Sequence, residues 1–312
     1  MDNAIPELET IRRQLMSLAR PKKPKMLVVD DEPDNLDLLY RTFRREFQVL
    51  KAESGVRALE VLQQEGEVAV IISDQRMPEM KGTEFLKKTL PQFPNTVRII
   101  LTGFTDIEDL VEAINSGQVY KYITKPWDPN ELKAVVERAA ENYDVQMQRM
   151  EDLRRAQTQT NLISTILQVA QDADSTEACL EPIATAFGKS FSTDVCILQL
   201  VESSALASSQ GTYSADGMED NWLASDPLVS EAMASHKIQG SVNVPAEPEL
   251  ADVAHYQSSG IQAHLVIPVT YRDAVLALLS LQWKQPCSLR EDELTLIHLS
   301  AKQVALALNS TR

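Results

Sequence analysis

Charged residues stand directly after three apolar runs in the first half of this sequence. The runs cover residues 26–29, 68–73 and 120–124, and the charged residues that follow them are Asp30, Asp31, Asp74 and Lys125. If the runs are neighbouring parallel strands, their ends meet at one edge of the sheet, where doubly wound folds place their sites. Three carboxylates held together repel one another, so a hard divalent cation and the lysine are the expected counter-charges.

Strand-like and helix-like segments alternate from residue 26 onward. Strand patterns lie near residues 26–30, 47–52, 68–73, 97–101 and 119–124, and helix patterns lie at 34–46, 55–65, 83–90, 106–115 and from 129 onward. This alternation predicts a parallel sheet that is covered by helices on both faces. The fourth strand pattern ends at Thr102, so its hydroxyl is expected at the same edge as the charged residues.

The length and the cysteine content limit the class of protein. A chain of 312 residues suggests two domains rather than one. No apolar run approaches the roughly 18–20 residues of a membrane span, and no secretory signal pattern opens the chain. Cys179, Cys196 and Cys287 are widely spaced, so we expect reduced core thiols in a cytoplasmic protein rather than disulfides or a zinc site.

Acidic charge is concentrated in the second half of the chain. The net charge is −15, and residues 157–312 hold 18 Asp and Glu against 7 Lys and Arg. Nucleic acid is bound through dense Lys and Arg contacts to phosphate, so this half is a poor match for DNA. We therefore expect neither DNA nor a membrane as a partner.

Residues 1–24 predict an N-terminal leader helix and a linker. Apolar residues between positions 5 and 18 fit one helix face, and a basic, proline-broken stretch follows at 20–25. A solvated linker is the ordinary interpretation of such a charge run. A docking segment for a partner is the alternative.

Residues 129–170 predict one long helix between the two halves. No Pro or Gly occurs from residue 132 to 170. Apolar or small residues recur there at roughly heptad spacing, at Leu132, Val135, Ala139, Tyr143, Met150, Leu153, Ala156, Ile163, Leu167 and Ala170. A coiled-coil linker between two subunits would bury this stripe, which predicts a homodimer. The alternative is two ordinary helices with a break near residues 158–161.

The remainder of the chain has the pattern of an α+β domain. Helix patterns fit 176–190, 226–236 and 290–309, and strand patterns fit 194–201, 211–214, 241–245, 263–271 and 274–284. Residues 202–220 and 246–260 are rich in Ser, Ala, Gly and Pro, so we expect loops there.

Four motifs in the first half resemble the receiver domain of two-component response regulators, which is the CheY-like fold. They occupy residues 28–33, 73–82, 101–103 and 121–126, in the order of that family. The resemblance covers residues 25–140. It implies an α/β flavodoxin-like fold with a five-stranded parallel sheet of order 2-1-3-4-5.

The resemblance also implies phosphorylation of Asp74 by a sensor histidine kinase. Asp30, Asp31, Asp74 and the backbone carbonyl of Arg76 would hold Mg²⁺. A phosphoryl group that moves onto a carboxylate passes through a charge-rich, in-line transition state, so positioning and neutralisation supply most of the catalysis. Oxygen ligands of this kind suit Mg²⁺, which needs only one or two carboxylates besides phosphate and water.

Three further residues have roles that the resemblance implies. Lys125, which precedes a cis bond to Pro126 in this family, would neutralise a phosphate oxygen. Thr102 would donate a hydrogen bond to the phosphoryl group, so it belongs to the catalytic set and to the switch. Tyr122 would then move into the space that Thr102 vacates.

Residues 171–312 resemble a GAF domain, chiefly in the segment 289–308. Bilin-binding relatives carry a Cys–His pair, and none of the three cysteines is followed by His. The cyclic-nucleotide signature of other relatives is absent too. His236, His255 and His264 could face a pocket, although a surface or satisfied core position is the alternative for each.

The expected function is that of a response regulator in a phosphorelay. The receiver would signal through the helical linker to the GAF-like output or sensory domain, and from there by protein–protein interaction to an effector. No turnover beyond its own phosphoryl transfer and dephosphorylation is expected. The alternative is a dimeric scaffold or adaptor for a separate cyclase, phosphatase or kinase. A haloacid-dehalogenase-type phosphohydrolase is disfavoured, because that class needs Asp where this chain has Arg76.

Overall fold

The computed structural model describes residues 8–18, 23–103, 119–217, 220–286 and 289–311. The chain divides into two compact units. The first unit is residues 21–154, and the second joins residues 155–312 to the N-terminal segment that contains helix α1 (Glu9–Leu18). Within the described parts, no helix combines the length and the apolarity that a membrane crossing requires.

The first unit is built on a five-stranded parallel sheet. Its strands are β1 (Lys25–Val29), β2 (Gln48–Ala52), β3 (Val70–Asp74), β4 (Val97–Thr102) and β5 (Lys121–Thr124). Their spatial order is β2-β1-β3-β4-β5, so the predicted order 2-1-3-4-5 is confirmed. All four neighbouring pairs are parallel, which brings the carboxyl ends of the strands to one edge.

Helices cover both faces of this sheet. They are α2 (Pro33–Phe43), α3 (Gly55–Glu65), α4 (Gly82–Thr89) and the first part of α5 (Pro129–Asp172). Met26 and Val28 of β1 belong to the apolar cluster with α2 and α5, whereas Leu27 and Val29 belong to the cluster with α3 and α4. This alternation explains why the strand has no polar face. The helix predicted at 106–115 lies outside the described residues.

Helix α5 is continuous over 44 residues. It begins after Asp128, whose Oδ1 accepts hydrogen bonds from the backbone amides of Asn130 and Glu131 at 2.8 and 3.0 Å. The alternative of two helices that break near residues 158–161 is therefore wrong. The long linker helix is confirmed, while its pairing with a second copy stays a prediction.

The apolar residues of α5 point in more than one direction. Leu132, Val135 and Ala139 are buried in the first unit, and Leu162 and Ile166 are buried in the second. The side chains of Met150, Leu153 and Leu167 remain about half or more exposed. The predicted seam is therefore not uniform: its start is buried in the first unit, its middle is exposed, and the side chains buried near its end are Leu162 and Ile166 rather than the predicted Ile163 and Leu167.

The second unit is an antiparallel sheet between two helical layers. Its strands are β6 (Val195–Glu202), β7 (Ala205–Ser214), β8 (Gln239–Ser241), β9 (Ala263–Tyr271) and β10 (Ala274–Trp283), in the order β7-β6-β10-β9-β8. Its helices are α6 (Thr176–Ser190), α7 (Pro227–Ser235), α8 (Pro248–Ala251), α9 (Ala254–Ser259) and α10 (Glu291–Ser310), with 3₁₀ turns at Leu223–Ser225 and Val244–Ala246. The end of α5, α6 and α10 share an apolar cluster with one sheet face, and α7 to α9 share another with the opposite face.

Two segments predicted as loops contain regular structure. Strand β7 fills about half of 202–220, beginning six residues before the strand that was predicted at 211–214, and α8 and α9 fill most of 246–260. β7 is an edge strand that pairs only with β6, so Ser208 and Gln210 stay exposed and weaken its hydrophobic pattern. The two helices are each six residues or shorter, which is too short for a clear period.

Helix α1 packs on the second unit. Leu8 and Ile11 are almost fully buried in the cluster that also contains Leu162 and Ile166 of α5. The Arg12 guanidinium contacts Glu291 at the start of α10, and the Gln14 side chain donates a hydrogen bond to Glu247 at 3.1 Å. The segment predicted as a leader helix is therefore anchored in the second unit.

Gly211 marks a close approach between β7 and α6. A Cβ at this position would lie 2.1 Å from the carbonyl carbon of Leu180 and 2.2 Å from the nitrogen of Glu181, both of which are backbone atoms. We expect Gly211→Ala to lower the free energy of unfolding by about 1–3 kcal/mol, because the strand must move away from the helix. Denaturant titration measures this loss. Ser208→Ala, at an exposed position of the same strand, should change stability by less than about 0.5 kcal/mol.

Candidate functional site

The carboxyl-terminal edge of the first sheet brings the predicted residues together. Asp30 follows β1, Asp74 ends β3, Thr102 ends β4 and Lys125 follows β5. The register aligns Asp74 with Leu101 and Thr102 with Thr124, so these chain ends lie at the same level. The sequence therefore predicted correctly that these side chains lie at one edge of the sheet.

Lys125 joins the two buried carboxylates. Its Nζ lies 3.0 Å from Oδ2 of Asp30 and also contacts Oδ1 of Asp74. The two carboxylates are nearly inaccessible, whereas about a quarter of the lysine side chain is exposed. One ammonium group thus compensates two carboxylates that would otherwise repel each other. The bond between Lys125 and Pro126 is cis, as the resemblance implies.

Backbone and amide donors hold each carboxylate in place. Oδ1 of Asp30 accepts from the backbone amide of Glu32 at 2.9 Å, and both of its oxygens accept from Nδ2 of Asn35 at 3.1 Å. Oδ2 of Asp74 accepts from the backbone amide of Arg76 at 2.6 Å. Sequence reasoning missed Asn35. Its signal is the helix start that Pro33 sets, since this start places Asn35 in the first turn, five residues after Asp30.

Burial and charge act in opposite directions on the pKa values of the pair. Burial raises the pKa of Asp74, although the hydrogen bond and charge of Lys125 oppose this effect. Burial alone would lower the pKa of Lys125, but the hydrogen bonds and charges of Asp74 and Asp30 outweigh it and raise the pKa. The lysine is therefore positively charged at neutral pH. Any further positive charge nearby would stabilise the ionised form of Asp74.

The other predicted residues lie nearby but differ in exposure. Asp31 is exposed, and Thr102 is buried with its Oγ1 donating to the carbonyl of Gly103 at 3.0 Å. The side chain of Tyr122 is 41% exposed. Tyr122 lies on β5, three residues before Lys125, which directly follows that strand.

The acidic residues fit a hard divalent cation by their chemistry. Within the described residues, no three His, Cys, Asp or Glu side chains form a ready-made metal cluster. The donors of Asp30, Asp31 and Asp74 are nevertheless carboxylate oxygens, which Mg²⁺ prefers, and Mg²⁺ needs few of them because it keeps several waters. The exposed position of Asp31 leaves this side of the cluster open to solvent.

A polar network lies inside the second unit, on the side of α7 to α9. Asp226 is fully buried, and its Oδ1 accepts from the backbone amide of Val229 as the N-cap of α7. Its Oδ2 accepts from Nε2 of His255 at 2.8 Å and from the hydroxyl of Tyr256 at 2.7 Å. The Trp222 ring stacks on His255 at 4.1 Å between centroids.

The donor and acceptor roles in this network follow from the single hydrogen of the Tyr256 hydroxyl. Tyr256 has a single hydroxyl hydrogen, which Asp226 takes, so its oxygen must accept from Nδ1 of His264 at 2.8 Å. Nε2 of His264 then accepts from the hydroxyl of Ser280 at 2.9 Å, and that hydroxyl accepts from Gln282 at 2.8 Å. Every member is satisfied. His264 is thus a core histidine of the fold, and His255 is paired, while His236 is exposed at the end of α7 and lines a cleft, as was predicted for it.

An open cleft of about 910 Å³ lies at one end of the second unit. Val201, Met233 and Leu276 give it an apolar wall, and the acidic side chains of Glu202 and Asp273 line it as well. Its described lining residues include no Lys or Arg. The cleft is consequently a poor match for phosphate-bearing ligands, which agrees with the missing cyclic-nucleotide signature.

The cysteines that the structure describes are buried thiols. Cys179 and Cys196 are free and fully buried, and burial raises the pKa of both. A raised pKa keeps a thiol protonated and unreactive. Cys287 lies outside the described residues.

Comparison with known proteins identifies two family matches. Residues 26–137 match the family described as the response regulator receiver domain, and residues 175–308 match the GAF domain. A hydrogenase transcriptional regulatory protein, HoxA of Cupriavidus necator, is 42% identical over 40% of this chain and 26% of its own length. The DNA-binding transcriptional regulator NtrC of Proteus hauseri is 30% identical over 57% of this chain and 35% of its own.

A shorter relative is matched almost throughout. The chemotaxis protein CheY homologue of Campylobacter jejuni is 35% identical over 36% of this chain and 89% of its own length. By contrast, the chain spans only about a quarter to a third of the transcriptional regulators. The matches to HoxA and to the CheY homologue, of 125 and 117 residues, are close in length to the receiver match, whereas the match to NtrC is longer, at 178 residues.

His264 gives the stability of the second unit a pH dependence. Burial lowers the pKa of His264 to about 4, whereas a histidine in an unfolded chain titrates near 6.5. Between about pH 6.5 and 4, the unfolded chain binds a proton that the folded unit excludes. The free energy of unfolding should therefore fall by up to about 3 kcal/mol as pH drops through this window.

Denaturant titrations at a series of pH values measure this effect. His264→Gln should flatten the acid slope, because glutamine does not titrate. His236→Asn removes an exposed histidine and should keep the native slope. An unchanged slope in His264→Gln would show that other groups cause the acid sensitivity.

Proposed function

Because the chain belongs to the response regulators and joins a receiver domain to a GAF domain, we propose that Asp74 accepts a phosphoryl group from a sensor histidine kinase. The state of the receiver then passes along α5 to the GAF domain. The observation that carries this proposal is the contact of Lys125 with both Asp30 and Asp74 at the sheet edge.

The residues at the edge have separable tasks in the transfer. An oxygen of Asp74 forms a bond to phosphorus while the bond from phosphorus to the histidine nitrogen of the kinase breaks. Lys125 neutralises charge on the phosphoryl oxygens as a fixed ammonium. The Arg76 amide orients the attacking carboxylate through its 2.6 Å hydrogen bond. Positioning and neutralisation are the main contributions a protein can make to this reaction.

Mg²⁺ is the cofactor that this site would hold. Asp30, Asp31, Asp74 and the carbonyl of Arg76 are the residues that would bind it. When bound, the ion supplies positive charge to the phosphoryl oxygens. Asn35 and the Glu32 amide keep Asp30 in position, which reduces the reorganisation that ion binding requires.

Thr102 and Tyr122 are proposed as the switch that responds to phosphorylation. Thr102 lies buried at the end of β4, and its hydroxyl donates a hydrogen bond to the carbonyl of the neighbouring Gly103. A phosphoryl group on Asp74 offers that hydroxyl a charged acceptor, which makes a stronger hydrogen bond. The partly exposed ring of Tyr122 can then turn inward and change the surface beside β5.

Helix α5 is the proposed route of the signal. Its first turns are buried in the receiver at Val135 and Val136, and its last turns are buried in the second unit at Leu162 and Ile166. A single helix that belongs to both cores moves both when it shifts. We therefore propose that α5 is the element whose shift carries the signal from the receiver to the GAF domain.

The output is proposed to be contact with another protein. HoxA and NtrC are transcriptional regulators by name, but the excess of acidic residues in 157–312 does not suit a phosphate backbone. The exposed apolar side chains of α5 support contact with a second copy of the chain rather than with DNA. A scaffold for a separate catalytic protein is the alternative output.

The first experiment measures phosphorylation by mass. With acetyl phosphate and Mg²⁺, the native chain should gain one phosphoryl group, and Asp74→Asn should gain none because it lacks the attacking oxygen. Asp37→Asn changes an exposed carboxylate that pairs with Lys51, so it should behave as the native chain does. Lys125→Ala should react at least tenfold more slowly, since its loss removes the neutralising charge.

Chelation separates the role of the ion from that of the aspartate. With EDTA, the native chain should no longer gain the phosphoryl group. Labelling of Asp74→Asn at the native rate would overturn the assignment of the acceptor, and labelling in EDTA would overturn the need for Mg²⁺.

A homodimer through α5 is the second part of the proposal. Met150, Leu153 and Leu167 are spaced as heptad positions, and all three are substantially exposed. Burial of such a stripe against an identical helix removes apolar surface from water. The polar residues between them, such as Gln157 and Thr160, predict a weak and adjustable pairing.

Light scattering tests this pairing. The native chain should have twice the chain mass, and Leu153→Asp should shift it toward one chain mass because a charge would be buried in the seam. Gln148→Asp adds the same charge about 140° round the helix and should leave the mass unchanged. A dimer that persists unchanged in Leu153→Asp would contradict the α5 interface. Equal mass and equal helix exposure with and without phosphorylation would favour the adaptor.

A further inference from the structure

The attachment of α1 to the second unit has the features of a removable contact. Helix α1 has only 10 residues, and isolated helices of this length are marginal in water. Its apolar anchors are the buried side chains of Leu8 and Ile11, with Leu15 packed at the margin. Its helical form therefore depends on the surface where it lies, and among its described residues the apolar contacts with that surface come from these three side chains.

Polar contacts of Arg12 and Gln14 also hold α1 on this surface. The Arg12 side chain, which is mostly buried, contacts Glu291. Gln14 donates to Glu247, which also accepts a hydrogen bond from Ser241 at 2.6 Å. These contacts fix the position of α1 along the surface, because each requires one particular partner.

The same surface receives the other connection of the receiver. Arg155 of α5 contacts Asp292 at 2.8 Å, beside the Glu291 that holds Arg12. Leu162 and Ile166 of α5 belong to the same apolar cluster as Leu8 and Ile11. A shift of α5 in this region would therefore change the surface on which α1 rests.

The chain between α1 and the receiver is short. Helix α1 ends at Leu18 and β1 begins at Lys25, so six residues connect α1 to the sheet. The receiver is consequently attached to the second unit at both of its ends. Release of α1 would leave α5 as the remaining connection between the receiver and that unit.

We propose that α1 is a detachable strap that holds the receiver to the GAF unit, and that phosphorylation of the receiver changes how firmly the strap is bound. The second half of this inference rests on the proposed function; the first half does not. The strap binds through Leu8, Ile11 and Arg12, and its seat is formed by α5, β8 and the acidic start of α10.

The docking half is tested by cutting the connection in the full-length protein. A site-specific protease sequence replaces residues 19–24, and gel filtration after cleavage shows whether the N-terminal fragment stays with the rest. The native fragment should co-elute. After cleavage, the double variant Leu8→Asp/Ile11→Asp should release at least tenfold more of the fragment than the native protein does. The control Arg13→Ala, which changes an exposed position, should retain the fragment.

Exchange of the two charges distinguishes loss of this contact from misfolding. Arg12→Glu should release the fragment, and Arg12→Glu combined with Glu291→Arg should restore co-elution. Immediate loss of the native fragment, or no rescue by the exchange, would overturn the strap.

The coupling half uses the same cut protein with acetyl phosphate and Mg²⁺. The released fraction should change at least threefold on phosphorylation and stay constant in Asp74→Asn. Intact mass on the same samples reports phosphorylation separately. A phosphorylated chain with unchanged release would overturn the coupling alone, whereas absence of the phosphoryl group would count against the proposed function.

Discussion

The ammonium group of Lys125 is the interaction on which the functional edge depends. It lies between Asp30 and Asp74, two carboxylates that are almost removed from water. Burying two like charges side by side is costly unless a counter-charge accompanies them. Three strands supply these residues from distant parts of the chain, so the sheet order and the charge balance support each other.

The residues of this edge could be predicted because each follows an apolar run. A parallel sheet turns that local pattern into a spatial one, since all its strands end at one edge. The groups that hold the carboxylates could not be predicted in the same way. The Arg76 amide has no sequence signal, and Asn35 becomes visible only once Pro33 sets the start of α2.

The second unit was less predictable for physical reasons. Its long apolar strands and helices gave clear periods, but the edge strand β7 was predicted only over residues 211–214, because its first part alternates too weakly to be recognised. The network of Asp226, Tyr256 and His264 joins a helix cap, a short helix and a strand. No spacing rule links such positions, because their proximity arises only from the folded sheet. The same holds for Leu8, whose packing partners lie more than 150 residues away.

The burial of Leu8 and Ile11 also changes where this protein can be divided. Along the sequence, the receiver is inserted between the two segments that form the second unit, so that unit is discontinuous. The GAF match at 175–308 therefore does not include every residue of its core. A fragment that begins at residue 155 lacks two core side chains and exposes the apolar surface they cover. A chain that joins the segment of Leu8 and α1 to residue 155 keeps that core closed, and it is the natural form in which to study the GAF unit alone.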